Sequence, residues 1–223
     1  MDLVVSDLAC RRAGRRVFAG VSFRVEAGAA TALRGPNGAG KSSLLRVLAG
    51  LIPAEAGTAT LGETRLADRE AWQEQVAYAG HLDAVKPQLT VEENLAAWAS
   101  LYGAAAGRVG AALERFGLTP IADYPAAYCS AGQKRRLGLA RLLVAERPLW
   151  LLDEPTVSLD AAATETFADA VRAHVAAGGA ALAATHVPLG FEGGPVVTLD
   201  RAPPPAAAGA AGPADDPFLE GAW

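Results

Sequence analysis

Gly35-Pro36-Asn37-Gly38-Ala39-Gly40-Lys41-Ser42 decides the reading of this chain, because it meets every fixed position of the phosphate-loop pattern G-x-x-x-x-G-K-[ST]. The pattern carries weight only between a strand and a helix, and both are present. Ala30-Thr31-Ala32-Leu33 reads as a buried strand, and Ser43-Leu44-Leu45-Arg46-Val47-Leu48-Ala49 as a helix closed by Gly50. The glycines let successive backbone N–H groups converge on a polyphosphate, helped by the positive end of the helix dipole. Lys41 would bring a cation to the β- and γ-phosphates, Ser42 a hydroxyl to Mg²⁺, and Ser43 is grouped with them on the nucleotide. A glycine-rich turn with a chance lysine would not explain both flanks. The stretch predicts a nucleoside triphosphate site.

Working outward, the next chemistry lies at the ends of two other apolar runs. Leu149-Trp150-Leu151-Leu152 reads as a buried strand ending in Asp153-Glu154-Pro155, and open α/β sheets bind ligands at such carboxyl ends. Neighbours on a strand point opposite ways, so Asp153 and Glu154 should divide the work. Asp153 would hold Mg²⁺ through water, and Glu154 would orient or deprotonate the attacking water. Ala180-Ala181-Leu182-Ala183-Ala184-Thr185 ends at His186, a candidate donor to the γ-phosphate. His174 has no such setting and reads as a helix-surface residue.

Length and composition bound the rest. The 223 residues suit one domain with room for a subdomain, and the net charge of −4 supplies no basic field for nucleic acid, so none is expected as a partner. Arg11-Arg12-Ala13-Gly14-Arg15-Arg16 reads as a solvated turn between strands. No apolar run reaches the roughly 18 residues that cross a bilayer. Met1-Asp2-Leu3-Val4-Val5 lacks the cationic start of a signal peptide. Cys10 and Cys129 lie far apart without metal-ligand spacing, which suits a reduced, cytoplasmic protein.

The pattern of elements predicts an α/β fold. Leu3–Leu8 and Val21–Glu26 read as antiparallel strands, followed by the phosphate loop, strands at Thr58–Leu61 and Val76–Ala79, and then a change of texture. From Leu82 to about Tyr128 helices and loops take over, with a capping box at Thr90-Val91-Glu92-Glu93 and a second helix over Val109–Phe116. No residue type in that block points to chemistry. A helix then opens at Ser130-Ala131-Gly132-Gln133 and is broken by Pro148, another runs from Ala161 to Val175, and Val196–Leu199 is the last strand. The expected plan is a mainly parallel sheet with an N-terminal antiparallel set and an inserted helical subdomain. Residues 1–81 and 129–200 would form the core and 82–128 the subdomain, with its signature helix continuing to about 146. Residues 201–223, rich in proline, alanine and glycine, read as a disordered tail.

The order of these motifs resembles an ABC-type ATPase domain over about residues 1–200: phosphate loop, Ser130-Ala131-Gly132-Gln133 before a basic helix, Leu151-Leu152-Asp153-Glu154-Pro155, Ser158-Leu159-Asp160, and Thr185-His186. The resemblance implies that Ser130, Ala131, Gly132 and Gln133 grip the γ-phosphate held by a second copy, so that two chains sandwich two ATP molecules. It also implies that Asp160 helps tie the two sites together. Three features, at four positions, depart from the family pattern. Cys129 and Ala131 stand where Leu and Gly are usual, and Ala131 must then have an ordinary backbone conformation. His81 occupies the lid position usually held by glutamine, which puts its contact with Mg²⁺ in question. Arg12 or a neighbour replaces the aromatic that stacks on adenine, a role a guanidinium plane can fill.

Leu8-Ala9-Cys10-Arg11-Arg12, Tyr78-Ala79-Gly80-His81 with Lys86, and the alanine-containing signature look like the ATP-binding subunit of the bacterial haem exporter used in cytochrome c maturation. That likeness implies ATP and Mg²⁺ as cofactors and integral membrane transporter subunits as partners. It further implies a place at the cytoplasmic face of the inner membrane, and work on haem export or on release from a haem chaperone complex. The competing classes are another exporter's ATPase, a soluble ABC ATPase acting on DNA, ribosomes or cluster assembly, and a phosphate-loop kinase. The kinase reading leaves Ser130–Gln133 unexplained.

Overall fold

A computed structural model describes residues 1–105, 107–187, 189 and 194–200; the tail expected from 201 lies outside the described residues. Two sheets carry the fold. Strands β1 (Leu3–Arg12), β2 (Arg15–Val25), β4 (Ala56–Leu61) and β5 (Thr64–Arg65) form an antiparallel sheet in the order β2-β1-β4-β5. Strands β3 (Ala30–Arg34), β6 (Val76–Ala79), β7 (Leu149–Asp153), β8 (Ala180–Ala184) and β9 (Val196–Thr198) form a parallel sheet in the order β6-β7-β8-β3-β9. Six α-helices accompany them among the described residues: α1 (Lys41–Leu48), α2 (Arg69–Gln73), α3 (Val91–Tyr102), α4 (Arg108–Arg115), α5 (Ala131–Ala145) and α6 (Ala161–Ala176).

The central strands β7 and β8 are buried along their whole length, which explains why β8 is apolar throughout and β7 apolar up to Asp153. Alternate residues of β7 feed two cores. Leu149 and Leu151 join β1, β4, α1 and α2, including Leu3, Leu44, Leu48 and Trp72. Trp150 and Leu152 join the helical side, including Leu95, Leu113, Leu137 and Phe167. Trp72 does more than fill space, since its indole N–H donates to Leu48 O at 2.6 Å and satisfies an orphan carbonyl at the end of α1.

The structure corrects several expectations. The arginine run is the exposed turn between strands expected of it, but a tighter one: Ala13 and Gly14, both at positive φ, make the turn itself, and Arg11 and Arg16 lie on the paired strands. Their guanidiniums converge on Glu55, with Arg11 Nε at 3.0 Å from Oε1 and Arg16 Nη2 at 3.2 Å. Strands β1 and β2 therefore run to this tight hairpin instead of ending at Leu8 and starting at Val21. His174 is not a free surface group but stacks on Trp150 with ring centroids 4.0 Å apart, and burial pushes its pKa down. The block from Leu82 to Tyr128 is also chemically richer than its residue types suggest. Buried Asn94 accepts from Lys86 N at 2.7 Å and donates to Lys86 O, Leu89 O and Thr90 O, holding the 86–90 loop against α3.

Candidate nucleotide site

The phosphate loop joins β3 to α1, with Gly35 at φ 149°, Gly38 at 80° and Gly40 at 101°. Close approach also requires glycine. A Cβ on Gly35 would stand 2.2 Å from Leu199 O, and one on Gly40 2.6 Å from Val17 Cγ1. Pro36 O accepts from Ala39 N at 3.1 Å, leaving Asn37 and Gly38 at the exposed crown. Lys41 Nζ donates to Gly35 O at 2.8 Å and Pro36 O at 3.3 Å, so its ammonium is held over the loop. Ser43 is tucked into α1 and largely closed to solvent.

Asp153 stands at the end of β7, 4% exposed. Ser42 Oγ donates to its Oδ1 at 2.9 Å, and Tyr78 Oη, from β6, donates to its Oδ2 at 3.3 Å. Burial pushes the Tyr78 phenol up, keeping it a donor. Glu154 does part company with Asp153, but not by strand alternation. Its backbone leaves the strand in the left-handed region at φ 47°, braced by its N–H on Ala184 O at 2.8 Å. The Glu154 carboxylate then meets His186, with Oε1 3.4 Å from Nε2. The Ser42 hydroxyl and the Asp153 carboxylate are hard oxygen donors side by side, which fits Mg²⁺. Among the described residues no group of three or more His, Cys, Asp or Glu could hold a metal, so a cation here would draw on nucleotide oxygens.

The signature residues lie on a different surface of the molecule's logic: they open α5. Ser130 caps the helix through a reciprocal pair, Gln133 N to Ser130 Oγ at 3.2 Å and Ser130 N to Gln133 Oε1 at 2.7 Å. Ala131 is the first helical residue, so the missing glycine brings no strain. A Cβ on Gly132 would stand 3.0 Å from Ser158 O, placing the signature turn directly against the 158–160 loop. Asp160 caps α6 through Ala163 N at 2.7 Å. Cys129 is buried in the helical core.

Sequence reasoning missed Arg135. This buried side chain donates to Pro155 O at 2.8 Å, Gly80 O at 2.6 Å and Glu154 O at 2.7 Å, and pairs with Asp83 at 3.0 Å. It thus fastens α5 to the backbone of Glu154 and to the lid segment. The available signal was its place on the stripe with Gly138, Leu139 and Leu142, an apolar helical face interrupted by a cation. His81 is exposed, and its Nδ1 lies 3.5 Å from Arg46 Nη2 on α1. Arg12 ends β1, half-buried beside Cys10; the hairpin residues placed against the phosphate loop are Val17 and Phe18.

A family model described as ABC transporter matches residues 18–157. The chain belongs to the ABC transporter family. Curated relatives extend the match to almost the whole chain. The cytochrome c biogenesis ATP-binding export protein CcmA of Cereibacter sphaeroides is 55% identical over 98% of this chain and 98% of its own length. The protein of the same name from Ruegeria pomeroyi is 54% identical over 86% of this chain and 88% of its own. A solved ATP-binding subunit of an ABC transporter superposes with a TM-score of 0.82 at 29% identity, covering 90% of this chain and 88% of that one. The ABC-type fold and ATP binding expected from the motifs agree with these relatives. Among the described residues no helix is long and apolar enough to cross a membrane.

Proposed function

We propose that this chain is the ATP-hydrolysing subunit of a haem-export or cytochrome c maturation complex, working as a dimer beneath integral membrane subunits. The observation that carries the reading is the convergence of Ser42–Asp153 and Glu154–His186 at the carboxyl ends of β7 and β8, beside the phosphate loop. The loop amides and Lys41 would bind the β- and γ-phosphates. Ser42 and Asp153 would hold Mg²⁺, which supplies charge neutralisation on the phosphate oxygens. Glu154 would orient a water in line with the γ-phosphorus and take its proton as the P–O bond to ADP breaks, while His186 donates a hydrogen bond to a γ-oxygen. The products are ADP and inorganic phosphate.

The second half of each site would come from the partner copy. Ser130 Oγ already accepts from Gln133 N, which leaves its proton to donate, and the N–H groups of Ala131 and Gly132 donate to no described residue. The 158–160 loop would lie beside this grip. Residues 1–81 and 129–200 serve as the nucleotide-binding core, and 82–128 as the helical subdomain that turns towards the membrane subunits. The chain would sit at the cytoplasmic face of the inner membrane, and a haem chaperone complex would be the downstream partner. Val17, with Arg12 further along the hairpin, would flank the adenine.

Lys41→Ala and Glu154→Gln test the chemistry. Both are expected to lower ATPase activity by about 100-fold or more, and Glu154→Gln should still bind ATP. Full turnover by Glu154→Gln would remove the assigned base. Affinity purification from membranes, with identification of the integral proteins and haem that accompany the chain, tests the partners.

A further inference from the structure

Between the lid segment and the buried carboxylate runs a line of polar side chains that the ATPase mechanism does not use. Asp153 has two oxygens and two partners: Ser42 on Oδ1 at 2.9 Å and Tyr78 on Oδ2 at 3.3 Å. Tyr78 is fixed at both ends. Its carbonyl accepts from the buried Arg141 at 2.6 Å, itself under the Trp98 ring. Its hydroxyl lies so close to Gly80 that a Cβ there would stand 2.6 Å from it. Arg46, projecting from the phosphate-loop helix, faces the Tyr78 phenol, and its Nη2 also lies 3.5 Å from His81 Nδ1. His81 and Gly80 follow directly on β6, in the segment that Arg135 pins to the Glu154 backbone.

Resting on the ATPase reading, we propose that Tyr78 is a positioning residue for the metal-binding carboxylate, and that Arg46 and His81 make the lid's position felt there through it. A carboxylate with both oxygens hydrogen-bonded has a fixed plane. Without the phenol, Oδ2 of a side chain only 4% exposed loses its described partner and Asp153 is free to rotate. When the lid moves, His81 leaves Arg46, Arg46 is freed from the phenol, and the carboxylate loosens. This gives a histidine at the lid position a route to the metal site that does not require it to touch the ion.

The test uses the full chain with a non-hydrolysable ATP analogue and Mn²⁺ as a spectroscopic substitute for Mg²⁺, read by electron paramagnetic resonance. Tyr78→Phe keeps the ring and removes only the hydroxyl. It is expected to weaken Mn²⁺ binding about 10-fold and to raise the Mg²⁺ concentration for half-maximal ATPase by a similar factor, with KM for ATP at saturating Mg²⁺ unchanged. His81→Ala is expected to shift Mn²⁺ affinity in the native background by about 3-fold and not at all in the Tyr78→Phe background, the non-additivity a relay demands. Native Mn²⁺ affinity in Tyr78→Phe overturns the positioning role; additive effects overturn the relay. If the unaltered chain neither holds Mn²⁺ with the analogue nor hydrolyses ATP, the ATPase reading fails as well.

Discussion

Helices α3 and α5 begin with the same reciprocal capping box, Thr90 with Glu93 and Ser130 with Gln133, yet their first turns have opposite fates. At α3 every early amide is consumed within the chain: Val91 N donates to Tyr124 O at 3.0 Å, Glu92 N to Ala122 O at 2.9 Å, and Glu93 N to Thr90 Oγ1 at 3.1 Å. At α5 only Gln133 N is consumed, and Ala131 and Gly132 present theirs outward. One motif thus finishes a fold, and the other leaves two helix amides without a partner among the described residues. Local sequence fixes the cap in both; the neighbouring segment, 122–126 whose carbonyls take the amides in the first case and the 158–160 loop that takes none of them in the second, decides whether the helix end has donors to spare.

Variants can break this contrast. The largest effect is expected from Gly132→Asp, which keeps Ser130 and Gln133 but meets Ser158 O and puts a negative charge where the partner's phosphate would lie. ATPase measured at high protein concentration should fall about 100-fold. Ser130→Ala should lose about 10-fold in ATPase beyond what its cap loss of about 1 kcal/mol explains, which a melting curve alongside the rate would show. Asn94→Ala strips four hydrogen bonds at a buried site and should cost about 2 kcal/mol in stability with faster hydrogen exchange over 86–90. Its ATPase per folded molecule should stay within about 3-fold, measured in the same assay. Thr90→Ala should cost about 1 kcal/mol in denaturant unfolding and leave the rate alone. Equal losses of rate in Thr90→Ala and Ser130→Ala would erase the distinction between the two helix ends. Ala131→Gly, which restores the common signature residue, should cost about 0.5 kcal/mol in the same unfolding series, because a helical position favours alanine and this one lies at the very start of α5.

What could be read in the sequence is what depends on near neighbours. Gly35–Ser42, the Asp153-Glu154 pair and Thr185-His186 declare themselves because residue type, spacing and flanking strand lie within a few positions of one another. The mainly parallel sheet with its N-terminal antiparallel set followed from the same short-range patterns, whereas the strand orders, which depend on pairing between distant segments, did not. Nor did Arg135 and Tyr78, since each acquires its role from an approach between distant elements; Tyr78 meets Asp153 across 75 positions of chain. Asn94 has its partners within eight positions but was missed because they are backbone groups of a loop whose course the residue types do not declare. The split between Asp153 and Glu154 was anticipated for the wrong reason. Pleat alternation suggested it, while a left-handed residue braced by Ala184 produces it. The hairpin arginines were placed correctly at an exposed turn, but their shared partner Glu55 was not foreseen because it lies 39 or more positions later.

Gly132 against Ser158 has a consequence for kinetics. With so little room between them, the signature turn and the 158–160 loop are geared together, and that loop continues straight back to Glu154 in the same molecule. On the proposed dimeric mechanism, a subunit that releases its neighbour's triphosphate would disturb its own Glu154, so two occupied pockets should fire in concert. ATP dependence with a Hill coefficient near 2, collapsing towards 1 when one copy of a mixed dimer carries Gly132→Asp, is the behaviour such gearing dictates.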